Sequence, residues 1–200
     1  MATAKGFLQL AKQHSAENNT VSCYLDSAVE EIDQIDRIIT DFLALVHPKA
    51  EGLQFINLND LIADVVILVG NVATMYNIAV HTQYTELPLC LLDTKQVKHA
   101  LLNVLQNAIQ AMPQGGLLQV DTVFDTETEE IRISISDTGN GINRENLSRI
   151  FNPFYSTKVE GSGLGLTLTN RIVTHHDGHI EVYSEEGKGT TVRLCFPTNQ

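Results

Sequence analysis

Apolar and polar positions divide this chain into two stretches with different rhythms. In the first, apolar side chains fall at Leu25, Val29, Ile32, Ile35, Ile39, Phe42 and Val46, spaced by three or four residues. That spacing puts them on one stripe of a helix over 21–46, close to a heptad pattern. The other face carries Asp26, Glu30, Glu31, Asp33, Asp36 and Asp41 and reads as a solvated acidic face. A shorter amphipathic segment at 5–14 precedes it, and the polar run 15–20 separates the two. Residues 1–46 therefore predict a helical hairpin. Pro48 stops the second helix, and 47–52 reads as a linker.

After the linker, helical and strand-like segments mix. Residues 53–58 make a short strand candidate, and Asn59 is a candidate cap for a helix running from Asp60 to about Asn71. Residues 78–84 alternate like a strand, and 87–92 form a second short apolar run. Thr94 opens a long helix to about Ala111, stopped by Met112-Pro113 and Gly115-Gly116. Strands at 117–125 and 130–136 flank an acidic turn and predict a hairpin. An irregular stretch and a glycine-rich segment lead to a helix at 164–175, and strands at 180–184 and 190–196 close the chain. Strict βαβ alternation is missing, which predicts an α/β sandwich with a mixed or largely antiparallel sheet.

Composition narrows the function. With 200 residues, 43% of them apolar and 18% charged, the chain suits one domain plus an appendage and needs no covalent staple. Acidic residues outnumber basic ones by 24 to 13, a net charge of −11 that speaks against a nucleic-acid partner. A nucleotide ligand stays open, because a phosphate site needs local donors and not a basic protein. Cys23, Cys90 and Cys195 form no metal- or disulfide-type pair, so they read as plain thiols in a reducing cytosol. The N-terminus does not look like a signal peptide. The most apolar run, 65–69, falls far short of the ~20 residues that span a bilayer. The expectation is a cytoplasmic chain without a membrane segment, either free or as the cytoplasmic part of a membrane-bound parent.

Four short constellations carry chemistry. Asn103 and Asn107 lie four apart, so both amides leave one helix face while Leu101, Leu102, Leu105, Ala108 and Ile109 pack the other. Two carboxamide oxygens can serve a hard cation such as Mg²⁺ that also keeps phosphate oxygens. Asp137-Thr138-Gly139-Asn140-Gly141-Ile142 follows an apolar strand and forms a turn that lets backbone approach a ligand while the carboxylate accepts from an exocyclic amine. Gly161-Ser162-Gly163-Leu164-Gly165-Leu166 opens a helix whose N–H groups suit phosphates. It is neither a dinucleotide fingerprint nor a P-loop. Between these two lies Phe151-Asn152-Pro153-Phe154-Tyr155-Ser156-Thr157-Lys158, an aromatic loop whose lysine can reach a phosphate oxygen. Each of these alone has an ordinary structural explanation.

In this order, and followed by Gly189-Thr190-Thr191, they resemble the five nucleotide-binding boxes of the histidine-kinase ATP-binding domain, a relative of the gyrase and Hsp90 chaperone ATPases. The resemblance covers 53–197. It implies a two-layer α/β sandwich of the Bergerat type, a mixed sheet with helices on one face, preceded by the hairpin. The division is 1–50 for the hairpin and 53–200 for the catalytic domain. By resemblance Asn107 is the Mg²⁺ ligand with Asn103 beside it, and Asp137 reads adenine with Gly139, Gly141 and Ile142 around the base. Phe154, Gly161, Gly163, Leu164, Gly165 and Leu166 belong to the lid and phosphate loop, and Thr191 lies near adenine. Asn103 and Lys158 take the catalytic roles. Asn103 stands where the ATPase branches have a water-activating glutamate, which implies phosphoryl transfer and not hydrolysis. Gln110 stands where many kinases have a basic residue, which shifts weight onto Lys158.

The hairpin, with Lys5-Gly6-Phe7 and Asp41-Phe42-Leu43, resembles the dimerisation and phosphotransfer hairpin of sporulation-type sensor kinases. The acceptor box H-E-x-x-N-P of that family would fall before Met1, and none of the seven histidines is followed by such a pattern. The expectation is a chain that binds Mg²⁺ and ATP, works with a response regulator or phosphorelay protein, is able to dimerise through 1–46, and does not phosphorylate itself. A regulatory ATP-binding module, a serine kinase of the same superfamily, and an ATPase are the alternatives.

Overall fold

The computed structural model describes residues 8, 11, 19–46, 52–158 and 161–198; for 19, 20, 22, 23, 30, 33, 34, 37, 44 and 46 it describes backbone only. Most of the first hairpin helix expected at 5–14, most of the break after it, most of the linker and the Cys23 side chain lie outside the described residues. The chain divides into two compact units, 1–48 and 49–200.

Beyond Leu8 and Ala11, which are helical, the described part of the first unit is the helix α1 (Asn19–Val46). It starts two residues before the helix expected at 21–46. Along that stripe Leu25, Val29 and Ile32 are half-buried, while Ile35, Ile39 and Phe42 are exposed.

The second unit runs β1 (Gln54–Ile56), α2 (Leu58–Met75), β2 (Ile78–Tyr84), β3 (Cys90–Leu92), α3 (Thr94–Gln110), β4 (Gly116–Asp125), β5 (Glu130–Asp137), α4 (Arg144–Leu147), α5 (Gly165–His175), β6 (His179–Glu185) and β7 (Gly189–Pro197). Five strands form one sheet in the order β2-β4-β5-β7-β6, with β2 parallel to β4 and the other pairs antiparallel. β1 and β3 form a separate antiparallel pair. Alternation along the strands turns Leu118, Val120, Ile131, Ile133, Ile135, Leu194 and Phe196 to one face. There they form a core with Val65 and Val69 of α2, Leu101, Leu105 and Ile109 of α3 and Val173 of α5. This is the expected two-layer sandwich with a mixed sheet and helices on one face.

Two helix starts differ in how well the sequence signalled them. Asp93 caps α3, its Oδ1 accepting from the N–H groups of Lys95 and Gln96 at 3.0 and 3.1 Å. The cap of α2 is Asn57 and not Asn59, and the helix runs on to Met75. Asn59 sits inside α2, where its side chain donates to the Thr85 carbonyl and accepts from Thr122 Oγ1, tying the helix to the sheet. The helix outlasts Gly70-Asn71 because Val69 and Ala73 continue its buried face. At 18 residues α2 is long and apolar enough to cross a bilayer by length and composition, which a run of five apolar residues did not reveal. Its buried side chains place it in the sandwich core. His176 is buried beneath α3 as a structural residue: Nδ1 donates to the Ile172 carbonyl and Nε2 accepts from the Asp93 N–H. His175 and His179 are exposed.

Candidate nucleotide site

The site is built around the C-terminal half of α3. Leu101, Leu105, Ala108 and Ile109 are buried against the sheet, which leaves Asn103, Asn107 and Gln110 on the opposite face. Asn103 Nδ2 donates to the Gly165 carbonyl at 3.3 Å and so ties α3 to the first residue of α5. Asn107 Oδ1 and Gln110 Oε1 both accept from Lys158 Nζ, at 3.2 and 2.7 Å. Gln110 is the partner that the sequence reading did not count among the site residues.

Asp137 ends β5 on the helix-covered face of the sheet. Its Oδ1 accepts from the N–H of Gly139 at 2.9 Å and of Thr190 at 3.3 Å. Burial pushes the carboxyl above its ordinary value, against the pull of those two N–H groups and of the Lys158 charge. The turn after it needs its glycines. A Cβ on Gly139 would run into the Ala111 carbonyl at the end of α3, and the same carbonyl accepts from the Asn140 N–H at 3.1 Å. Gly141 has φ +65° and lies against the Glu185 carbonyl. Ile142 is fixed through its N–H, which donates to Ser184 Oγ at 2.8 Å.

The loop carrying Lys158 is anchored through Tyr155, whose hydroxyl donates to Asn146 Oδ1 at 2.6 Å while the Arg149 guanidinium lies 4.3 Å from its ring. Asn146 and Arg149 come from α4 and the turn after it, a short helix that hydrophobic periodicity does not reveal. Ser156 Oγ accepts from the Lys158 N–H at 3.0 Å and sits against Gly161. Lys158 is exposed along its length, yet burial of its ammonium lowers its pKa, partly offset by Asp137. Gly163, at φ +67°, accepts from the Phe154 N–H at 3.1 Å, and a Cβ there would strike the Phe154 carbonyl carbon. No side chain caps the start of α5, so its first N–H groups suit an anion.

Three of the sequence-derived site residues stand differently. Thr191 points to the sheet face away from Asp137 and pairs with Ser136 Oγ at 2.9 Å, because side chains alternate along β7. Thr190 is the neighbour of Asp137. The Phe154 side chain is 67% exposed, so Tyr155 and not Phe154 anchors the loop. Leu164 is fully buried as a core residue, and only its backbone faces the phosphate loop. Gly161, Gly165 and Leu166 remain along the rim. An open groove of about 430 Å³ beside β2 and β4, lined in part by His81, Gln119 and Asp121, contains none of this chemistry.

The family model described as histidine kinase-, DNA gyrase B- and HSP90-like ATPase matches residues 92–200. The chain belongs to this family. Sporulation kinase C of Bacillus subtilis is 34% identical over 199 residues, 98% of this chain and 45% of that protein. Sensor histidine kinase ZraS of Escherichia coli is 34% identical over 203 residues, 100% of this chain and 43% of that protein. The chain thus spans under half the length of these curated relatives. The catalytic domain of histidine kinase ThkA superposes with a TM-score of 0.66 at 30% identity, covering 73% of this chain and 95% of that one. ThkA in complex with the response regulator TrrA gives 0.74 at 27% identity, covering 97% of this chain and 56% of that one. The second unit is the ATP-binding catalytic domain of the histidine-kinase branch of this family.

Proposed function

We propose that this chain binds Mg²⁺–ATP at the site on α3 and transfers the γ-phosphoryl group to a histidine that its 200 residues do not contain. The observation that carries this reading is the meeting of Asp137, the α3 amides, Lys158 and the open start of α5 around one end of the sandwich. Asp137 would read an exocyclic amine: Oδ1 is occupied by two backbone N–H groups, and Oδ2 takes no hydrogen bond from the described residues. Lys158 would neutralise phosphate, and the α5 N–H groups would hold it.

Donor chemistry fits Mg²⁺ at Asn107, with Asn103 beside it. Neutral carboxamide oxygens without a supporting carboxylate are weak ligands alone and suit an ion that brings phosphate oxygens and water with it. When bound, the ion would spread the charge that develops on the transferring phosphoryl group. The protein's own part is positioning: Asn103 fixes the start of α5, and Tyr155 with Ser156 fixes the loop that carries Lys158. No carboxylate stands at position 103 to activate water, which argues for transfer over hydrolysis.

Beyond the site, we place this domain in the cytoplasm as part of a sensor kinase that feeds a response regulator or phosphorelay protein. The complex of ThkA with its regulator supports that partner class. The exposed stripe of α1 supports dimerisation through 1–46. Calorimetric titration of the chain with Mg²⁺–ATP tests the central claim. Saturable binding that is lost without Mg²⁺ is expected, and absence of binding overturns it.

A further inference from the structure

Lys158 is held in an uncommon way. Its ammonium sits between two amide oxygens, Asn107 Oδ1 and Gln110 Oε1, that stand three residues apart on one face of α3. A carboxamide can aim an ammonium but cannot neutralise it. Among the described residues no carboxylate lies within ion-pair distance of Nζ; Asp137 acts on it only through space. The lysine is thus oriented without an ion-pair partner, next to the oxygen that serves as the candidate Mg²⁺ ligand. The shorter of the two bonds, 2.7 Å, is accepted by Gln110 Oε1.

We infer that Gln110 is a positioning residue: it aims the Lys158 ammonium at the phosphates of the bound nucleotide, so that this chain delivers from the loop a positive charge that the C-terminal half of α3 does not carry. The inference rests on the ATP reading above and deepens it. Asn107 alone cannot do this work, because a bound cation would claim the same oxygen and the lysine would lose that partner. Gln110 Oε1 has no such competitor. It keeps the ammonium beside the site while Asn107 turns to the metal.

Both Gln110 and Lys158 are exposed, so their variants should keep the fold, which circular dichroism checks. The test is a set of Mg²⁺–ATP affinities measured by calorimetry. Gln110→Met keeps the volume and removes the acceptor, and it should weaken binding by about tenfold, the scale of one charge-assisted hydrogen bond. Lys158→Met should weaken it at least as much. In the Lys158→Met background, Gln110→Met should change nothing further, since the residue it aims is gone. Gln110→Lys should rescue Lys158→Met, because a lysine there reaches about one bond length beyond the present Oε1 and sets its ammonium close to the vacated position. A Gln110→Met chain that binds like wild type overturns the inference. So does an effect that persists undiminished without Lys158, or a failed rescue. In each of those cases the ATP reading stands; wild-type chain that does not bind removes both.

Discussion

At Asp137 stability and binding pull in opposite directions. Its carboxyl titrates above the ordinary aspartate value because it is buried. The folded chain therefore holds this proton more tightly than the unfolded chain does. The stability linked to it is present below the unfolded pKa and lost as pH rises through the folded one. Asparagine at this position imitates the protonated acid, and its Oδ1 can still accept from the N–H groups of Gly139 and Thr190. We expect Asp137→Asn to melt at or above the wild-type temperature at pH 7, with the difference shrinking near pH 4. The same change should abolish Mg²⁺–ATP binding, since a carboxylate is needed opposite an amine. A lower melting temperature at pH 7 counts against this account. Asp137, Asn107 and Lys158 were legible because motif order singles them out. Thr190 was not: a one-residue error along a strand reverses the face, and Thr190-Thr191 gives no local sign of which threonine faces Asp137. Phe154 misled because an aromatic in a loop suggests an anchor, whereas here Tyr155 alone finds partners.

Among the elements, α3 holds the site from the core and the glycine loop before α5 holds it from the rim. Asp93 caps α3 with two hydrogen bonds while its own N–H is taken by buried His176. Asp93→Ala should cost about 1–2 kcal/mol by urea unfolding, the usual value of a lost cap. An unchanged midpoint would show that the cap bears no such weight. Gly163 belongs to the rim loop. Gly163→Ala meets a left-handed backbone penalty of about 1–2 kcal/mol and a clash with Phe154. Being at the rim of the site, it should lower Mg²⁺–ATP affinity as well as the melting temperature, whereas Asp93→Ala should lower the melting temperature by a comparable amount and leave affinity nearly unchanged; equal losses of affinity would sink the distinction. Strong periodicity made β2, α3 and the β4–β5 hairpin legible nearly to the residue. The start of α2 was less so, because Asn57 and Asn59 are both good caps and only packing against Thr85 and Thr122 decides between them.

For the whole molecule, the two units divide the work: the second carries the candidate site, and the first presents α1 with Ile35, Ile39 and Phe42 of its apolar stripe exposed. The histidines bear on what the chain can do alone. His176 has both ring nitrogens engaged. His81 lies in β2 with its side chain on the sheet face opposite Asp137, at the register of Gln119. None of the seven stands in an acceptor pattern. Catalysis by positioning gains its rate only when the accepting nitrogen is held in line with the phosphoryl group, so a histidine that merely exists nearby does not substitute. We therefore expect no acid-labile phosphate on this chain after incubation with Mg²⁺ and radiolabelled ATP. Adding a separate helical hairpin that carries a histidine in the H-E-x-x-N-P pattern should place label on the hairpin, and Asp137→Asn should prevent it. Label on this chain itself would show that one of its own histidines is an acceptor. Label on neither, from a chain that binds ATP, would favour a regulatory module over a kinase.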